Sequence, residues 1–386
     1  MDKTNMSAFL KKYTMVIALV LITLFFTWRT GGSMLLPQNV NNLIAQNAYV
    51  FVLATGMLLC ILTGGNIDLS VGSVVCFVGA IGGNLMVNKG WNPALSMVIM
   101  LLVGIIIGVW QGFWIAYVRI PPFITTLAGM LVFRGLSNVV LNGLTIAPMP
   151  ANYLSLFNSY IVDIFHGNGL NITCILAGVI ATVIFLATSF AGRAAKARKG
   201  YAMKSMSSFA IRCGVISLVI LVFMWRLAQY KGIPTVLIWL VLIILAYAYI
   251  TSKTTIGRHF YAVGGNEKAA ELSGINTNRV YFLAYANMGM LAAVAAMITI
   301  ARLNSANPTA GTNYEMDAIG SCFIGGASAY GGTGTVPGVI VGATLMGVIN
   351  LGMSIMGVDA NWQKVVKGCV LLAAVIFDVV SKKRAK

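Results

Sequence analysis

The sequence predicts an all-α polytopic membrane protein with about 10–12 transmembrane helices, some of them broken or cut to half length. Three observations carry that expectation. Hydrophobic residues make up 59% of the 386 positions and charged residues only 9%, where a soluble domain carries roughly 25% charged residues. Mean hydropathy is +0.87. Apolar runs close to the roughly 20 residues that a helix needs to cross a bilayer recur along the chain. A soluble fold of this size has no means of covering its surface with so few charges. The connections leave no room for a separate catalytic or ligand-binding domain, so 1–386 reads as one transmembrane domain.

The first apolar run, 13–27, follows Lys3, Lys11 and Lys12 and ends in Phe25, Phe26 and Trp28. No small-x-small cleavage site follows it, so it is expected to be an uncleaved span with a cytoplasmic amino terminus. Further spans are expected near 43–63, 71–87, 95–118, 123–141, 171–191, 209–228, 233–250, 280–301, 336–356 and 363–380. The segment 316–329 has only 14 residues, fewer than the roughly 17 that usually cross. Counting it gives twelve crossings and puts both termini in the cytoplasm. On that topology 18 of the 26 Lys and Arg fall on the cytoplasmic side and 7 outside, with Arg134 inside a span. This is the asymmetry that orients membrane proteins. The formal charge of +17 therefore points to the lipid bilayer and membrane orientation, and nucleic acid is not expected as a partner. Two connections are long: a polar outer one, 142–170, and a charged amphipathic inner one, 251–279. The pairs Gly64-Gly65, Gly325-Gly326 and Gly331-Gly332 hint at two related halves.

Enzyme chemistry finds little support. Cys60, Cys76, Cys174, Cys213, Cys322 and Cys369 lie in or beside apolar runs with no CxxC pair. His166 and His259 are too few and too far apart for a histidine metal site. No GxxxxGK[ST] occurs, so a nucleotide would be hydrolysed by another polypeptide. Neither a catalytic residue nor a metal ligand is assigned.

Polar interruptions at membrane depth are more informative. Thr63-Gly64-Gly65-Asn66-Ile67-Asp68-Leu69-Ser70-Val71-Gly72 separates two apolar runs. Backbone groups freed there must find partners in protein or a wet cavity, and an ionisable residue at that depth is a candidate functional group. Capping of the next helix by Asp68 or Ser70 fits equally well, and the two readings are compatible. Glu315-Met316-Asp317 opens the short segment, and Gly331-Gly332-Thr333-Gly334 follows it, as in a half-helix that does not fully cross. A proton relay would draw on Asp68, Glu315, Asp317 and Asp378. Gly104, Gly108 and Gly112 form a small-residue ridge suited to close helix packing. Trp110 and Trp114 suit an interfacial belt better than a sugar platform. Pro121-Pro122 fixes where the helix carrying Thr125 and Thr126 starts.

In the inner loop, Gly264, Gly265 and Asn266 are expected to break and cap, with a short helix over Glu267 to Ser273. Ala270 and Gly274, four apart, then share one face. This is either an ordinary amphipathic surface helix or one that enters a cleft in a partner protein.

The loop resembles the ATPase-docking loop of ABC importer permeases. Lys268-Ala269-Ala270 and Gly274 keep the spacing of the EAA-x-x-x-G signature, with Lys in place of the first Glu. Gly64 to Gly72, Pro121 to Leu127, Gly257 to Ile275 and Glu315 to Gly334 together resemble the monosaccharide permeases of the ribose, galactose and xylose type. The two additional spans around 171–228 resemble the longer xylose or multiple-sugar subgroup, as does Leu62 to Asp68. The resemblance implies the ABC importer permease fold and a homodimer in a bacterial inner membrane. It further implies an ABC ATPase subunit bound at 251–279 and an extracytoplasmic sugar-binding protein on the other side. No cofactor would sit in this chain, since ATP and Mg would be bound by the partner ATPase. Asn66, Asp68, Ser70, Thr125, Thr126, Glu315 and Asp317 are the candidates for lining or shaping the translocation path. Gly264, Gly265, Asn266, Glu267, Ala269, Ala270 and Gly274 are the candidates for ATPase coupling, and Gly274→Arg is expected to block docking in a folded chain. The alternative is an ion-coupled secondary sugar transporter, which has no use for a docking helix.

Overall fold

The structure, a computed structural model, describes residues 3–203 and 205–383. The cytoplasmic placement of Lys204, Arg384 and Lys386 concerns residues outside those described. Among the described residues the chain forms α-helices and no strand. The helices are α1 (Lys3–Arg29), α2 (Pro37–Leu62), α3 (Val71–Gly83), α4 (Pro93–Ala116), α5 (Pro122–Leu141), α6 (Ala151–Phe157), α7 (Ile172–Arg198), α8 (Met206–Ala228), α9 (Thr235–Lys253), α10 (Thr255–Gly265), α11 (Glu267–Leu272), α12 (Thr277–Leu303), α13 (Tyr314–Ile324), α14 (Val336–Ile355) and α15 (Ala360–Lys383). Nine of these, counting α3 with the π turn that extends it to Asn88, are long and apolar enough to cross a membrane. Helix starts follow local chemistry: Asn92, Asn171, Ser205 and Thr335 side chains accept from backbone N–H groups of the first turn, and Pro37, Pro93 and Pro122 open their helices.

Two four-helix units run in opposite directions. Helix α2 is antiparallel to α12: Arg302 Nη1 approaches Gln46 O at one end, and Cys60 Sγ approaches Ala284 O nearer the other. After α2 comes an extended break, 63–70, then the half-helix α3, then α4 and α5. After α12 comes a break, 304–313, then the half-helix α13, then α14 and α15. Helix α3 runs beside α12, with Gly79 against Ile300 and Gly83 against Ala306. Helix α13 runs beside α2, where Cys322 Sγ donates to Ala54 O. Helix α4 packs on α12 and α14 on α2, while α5 covers α3 and α15 covers α13. This is an inverted repeat. The glycine pairs suggested a repeat in a different alignment. Gly64-Gly65 lies in the first break, whose counterpart is 304–313, whereas Gly331-Gly332 lies between α13 and α14. The pairs meet in space instead of corresponding, since a Cβ on Gly331 would sit 2.4 Å from Gly64 Cα.

The glycine ridge does what its spacing suggests. A Cβ on Gly104 would lie 2.5 Å from Gly289 O, and one on Gly108 would lie 2.5 Å from Tyr285 O. Backbones of α4 and α12 therefore touch, the kind of van der Waals packing that joins helices where lipid supplies no hydrophobic drive. Helices α7 and α8 form a hairpin, with Gly178 against Met224, and leave most of their surface exposed at the edge of the bundle. The 142–170 connection holds α6, whose fully buried Tyr153 donates to Met297 O at 2.6 Å.

Candidate functional site

The start of α3 crosses the second break. A Cβ on Gly72 would lie 2.1 Å from Gly311 O, and one on Gly311, at φ +73, would lie 2.1 Å from Gly72 O. Only backbone fits between them. Beside the crossing, Asp68 is 1% exposed and its Oδ1 accepts from Ser70 N (2.8 Å) and Ser70 Oγ (2.6 Å). Gln111 Nε2 on α4 donates to Ser70 Oγ at 2.7 Å. Gly129 on α5 leaves room for that amide, since a Cβ there would meet Gln111 Nε2 at 2.6 Å. Glu315 arrives from the other half, with Oε2 2.5 Å from where a Gly72 Cβ would be. Asp68, Ser70 and Glu315 are thus brought to one place by two breaks more than 240 residues apart in sequence. Backbone groups of the second break are satisfied by Arg134, whose Nη1 donates to Pro308 O (3.2 Å) and Ala310 O (2.8 Å). In the sequence Arg134 stands inside an expected span with no local pattern that gives it a role.

Other candidates sit elsewhere. Asp317, 1% exposed, faces α2 and α15. Tyr49 donates to its Oδ2 at 2.6 Å, and Lys367 Nζ lies 2.9 Å from Oδ1 and 3.1 Å from Oδ2. The Tyr49 ring also stacks on Tyr314, with centroids 3.5 Å apart. Lys367, at the start of the expected span 363–380, lies in α15 and closes this buried ion pair. Thr125 and Thr126 are buried and donate back into their own helix, to Pro121 O and Pro122 O. Asn66 donates to Thr63 O and Thr63 Oγ1, both at 3.3 Å, in the part of the break nearest α11. One isolated signal pointed to what was missed: Gln111 is a lone amide in an apolar helix.

The 251–279 segment forms two helices, α10 and α11, where the sequence predicts one. Thr254 Oγ1 caps α10 by accepting from Gly257 N, and Asn266 Oδ1 caps α11 by accepting from Ala269 N. Gly264 packs inward, since a Cβ there would fall 1.7 Å from Leu62 O. Gly265 is exposed, and its backbone backs Gly332. Ala270 is 5% exposed and belongs to the chain's own core. The outward surface of α11 is therefore Lys268, Ala269, Glu271 and Leu272. Leu272 is 90% exposed, the barest large hydrophobic side chain among the described residues. Gly274 closes α11 with Gly274 N bonded to Glu271 O and Ile275 N to Ala270 O, at φ +83. An arginine there would strain the turn by about 1–2 kcal/mol, so the substitution perturbs more than a docking face. Glu267 carries an ion pair with Arg119 Nη1 at 2.8 Å and accepts from Tyr281 Oη at 3.0 Å. Partial burial pushes its carboxyl up, but those two donors and the guanidinium charge outweigh it and hold the group below its usual range.

Comparison with known proteins gives a consistent picture. The family described as the permease component of branched-chain amino acid transport systems matches residues 39–208 and 151–375. The xylose transport system permease protein XylH of Escherichia coli (strain K12) is 37% identical over 376 residues, covering 97% of this chain and 93% of that protein. The protein of the same name from Haemophilus influenzae is 36% identical, covering 97% and 98%. The ribose import permease protein RbsC of Escherichia coli (strain K12) is 32% identical, covering 96% and 94%. No solved structure matches the chain.

Proposed function

The chain belongs to the family of branched-chain amino acid transport system permease components, and from that membership we propose that it is the membrane permease of an ATP-driven ABC importer for a monosaccharide. A pentose or hexose such as xylose, arabinose or galactose is the expected cargo. The observation that carries this is similarity along nearly the whole chain to xylose and ribose permeases. The chain itself performs no chemistry. An ATPase subunit, holding ATP and Mg, receives α11, with Leu272 as its apolar contact and Lys268 and Glu271 at the rim. The coupling set is then Gly264, Gly265, Asn266, Glu267, Ala269, Ala270 and Gly274, most of it positioning α11 and not touching the partner.

A binding protein delivers sugar at the opposite end, and a second copy of the chain completes the path. Asp68, Ser70 and Glu315 shape that path at the crossing, and Asn66, Thr125, Thr126 and Asp317 shape it away from the crossing. Hydroxyl, amide and carboxylate groups suit a hydroxyl-rich solute in transit. The end bearing α11 is cytoplasmic, as are both termini, in a bacterial inner membrane. Arg119, Lys196, Arg198, Lys199, Lys253 and Arg279 at that end support this orientation.

The test is uptake of labelled xylose, arabinose, galactose and ribose into proteoliposomes. One set contains the chain with its ATPase, binding protein and ATP, and the other the chain alone under a proton gradient. ATP-dependent uptake is expected only in the first. Gradient-driven uptake by the chain alone would replace this reading with an ion-coupled carrier.

A further inference from the structure

The turn between α4 and α5 holds a residue in a conformation that its own sequence disfavours. Arg119 has φ +63, a left-handed backbone that L-residues other than glycine, asparagine and aspartate rarely adopt. Such a residue persists where its surroundings over-determine it, and these cases gather at sites that switch or clamp. Here the surroundings are specific. Arg119 Nη1 donates to Glu267 Oε1 at 2.8 Å, at the first residue of α11. Its Nη2 donates to Thr277 Oγ1 at 3.1 Å and to Asn278 Oδ1, at the start of α12. The guanidinium carbon lies 5.3 Å from the centroid of the Tyr281 ring. Tyr281 in turn donates through its hydroxyl to Glu267 Oε2 at 3.0 Å. The same hydroxyl reaches the first break, where a Cβ on Gly64 would lie 3.8 Å from it. One guanidinium thus ties three elements together, and only a planar fork with several donors serves all of them at once.

We propose that Arg119, Glu267 and Tyr281 form the link through which displacement of α11 reaches the break at 63–70, and that Arg119 is a positioning residue for coupling. This rests on the reading of α11 as the ATPase-facing helix. The Arg119 and Glu267 side chains are 46% and 37% exposed. An ion pair that open adds little to folding stability, so its loss is felt in transmission and not in assembly. Displacing Glu267 pulls at once on the Arg119 turn, on the α12 start and on the Tyr281 hydroxyl beside Gly64.

The experiment uses the full complex of chain, ATPase and binding protein in proteoliposomes, and reads labelled xylose, arabinose, galactose or ribose taken up per ATP hydrolysed. Arg119→Ala is expected to assemble and to hydrolyse ATP within about twofold of the unmodified complex, with uptake per ATP reduced about tenfold, the scale of a coupled charge network. Arg119→Lys keeps the charge and loses the fork, and falls between the two. Tyr281→Phe keeps the ring and removes the hydroxyl, and is expected to lower the ratio on its own. Adding Glu267→Arg to Arg119→Glu is expected to recover part of what Arg119→Glu alone loses. An unchanged ratio in Arg119→Ala would overturn the proposal. So would a complex that fails to assemble, since that assigns Arg119 to the fold. If the unmodified complex shows no ATP-dependent uptake, the importer reading itself fails, a separate outcome.

Discussion

Lys367→Met tests what the buried carboxylate of α13 is for. Asp317 is 1% exposed and Lys367 is 18% exposed, with Nζ within 3.1 Å of both carboxylate oxygens. Removing the ammonium leaves Asp317 with one hydrogen bond, from Tyr49, and no counter-charge. Breaking a buried pair from one side costs about 3–5 kcal/mol, and the partial exposure of Lys367 puts the expected loss near the lower end. Asp317→Asn alone is expected to cost less, about 2 kcal/mol, because the long lysine stem has a route to solvent. Both substitutions together leave neither charge behind and are expected to come within about 1 kcal/mol of the unmodified chain. The cycle then shows a coupling of about 4 kcal/mol. Thermal unfolding in detergent, followed by reaction of a fluorogenic thiol reagent with the buried Cys60, Cys174 and Cys322, reports it, and exposed Cys369 sets the baseline. A Lys367→Met chain as stable as the original, or a double variant worse than either single one, would refute the account. Uptake returning with stability in the double variant would show that Asp317 shapes the path from behind and does not contact cargo.

Leu272→Ala is expected to lower ATP-dependent uptake at least about tenfold, as truncation of an interface hot spot does, with an unfolding midpoint unchanged because the side chain touches almost nothing in this chain. Unaltered uptake would remove Leu272 from the docking surface. Gly72→Ala puts a methyl 2.1 Å from Gly311 O, and α3 and the second break must part by about 1 Å, at a cost of about 1–3 kcal/mol or more. Gly135→Ala, inside α5 with nothing within 4 Å of the added atom, is the control and should be neutral or stabilising by up to about 1 kcal/mol in the same unfolding assay. The pH dependence of coupling follows from Glu267. Its carboxyl is held low in the folded chain, so its contribution is complete above the ordinary carboxylate range and is lost only as pH falls through the lowered value. Uptake per ATP should therefore stay flat from about pH 7.5 to about pH 5.5, and a decline near pH 6 would assign the control to another group.

Much of this architecture is written locally. Most long helices and their starts follow from apolar run length and from proline, asparagine and serine at the starts, which act within one turn, whereas α6 and α10 lie in polar connections that carry no such run. The Asn266 cap and the short helix after it were legible for the same reason, as was the glycine ridge of α4. Less visible was anything set by pairing across the two halves. The Arg134 contacts to Pro308 and Ala310, and the Tyr49–Asp317–Lys367 cluster, join residues far apart in sequence, and no local pattern announces them. Burial misled in the other direction. Ala270 and Gly274 share a face by spacing, but the direction that face points depends on how α11 sits on α10 and α12. In the structure Ala270 turns inward, and Leu272 is left outside.

The glycines at the end of the bundle carrying α11 interlock much as those at the crossing do. Gly65 lies against Ala329 O, Gly331 against Gly64, Gly332 against Gly264 and Gly265, and Gly332 N bonds to Leu62 O. Contacts of backbone on backbone have no rotamers to exchange, so none of them yields by a side chain swinging aside. The first break, the loop after α13 and the end of α10 at Gly264 and Gly265 then form a single stiff piece, whereas α11 beyond them is tied to the break by the side chains of Glu267 and Tyr281. Compliance is left to the α7–α8 hairpin, whose contacts with the rest are few and whose side chains are free to slide through lipid as the piece beside them turns.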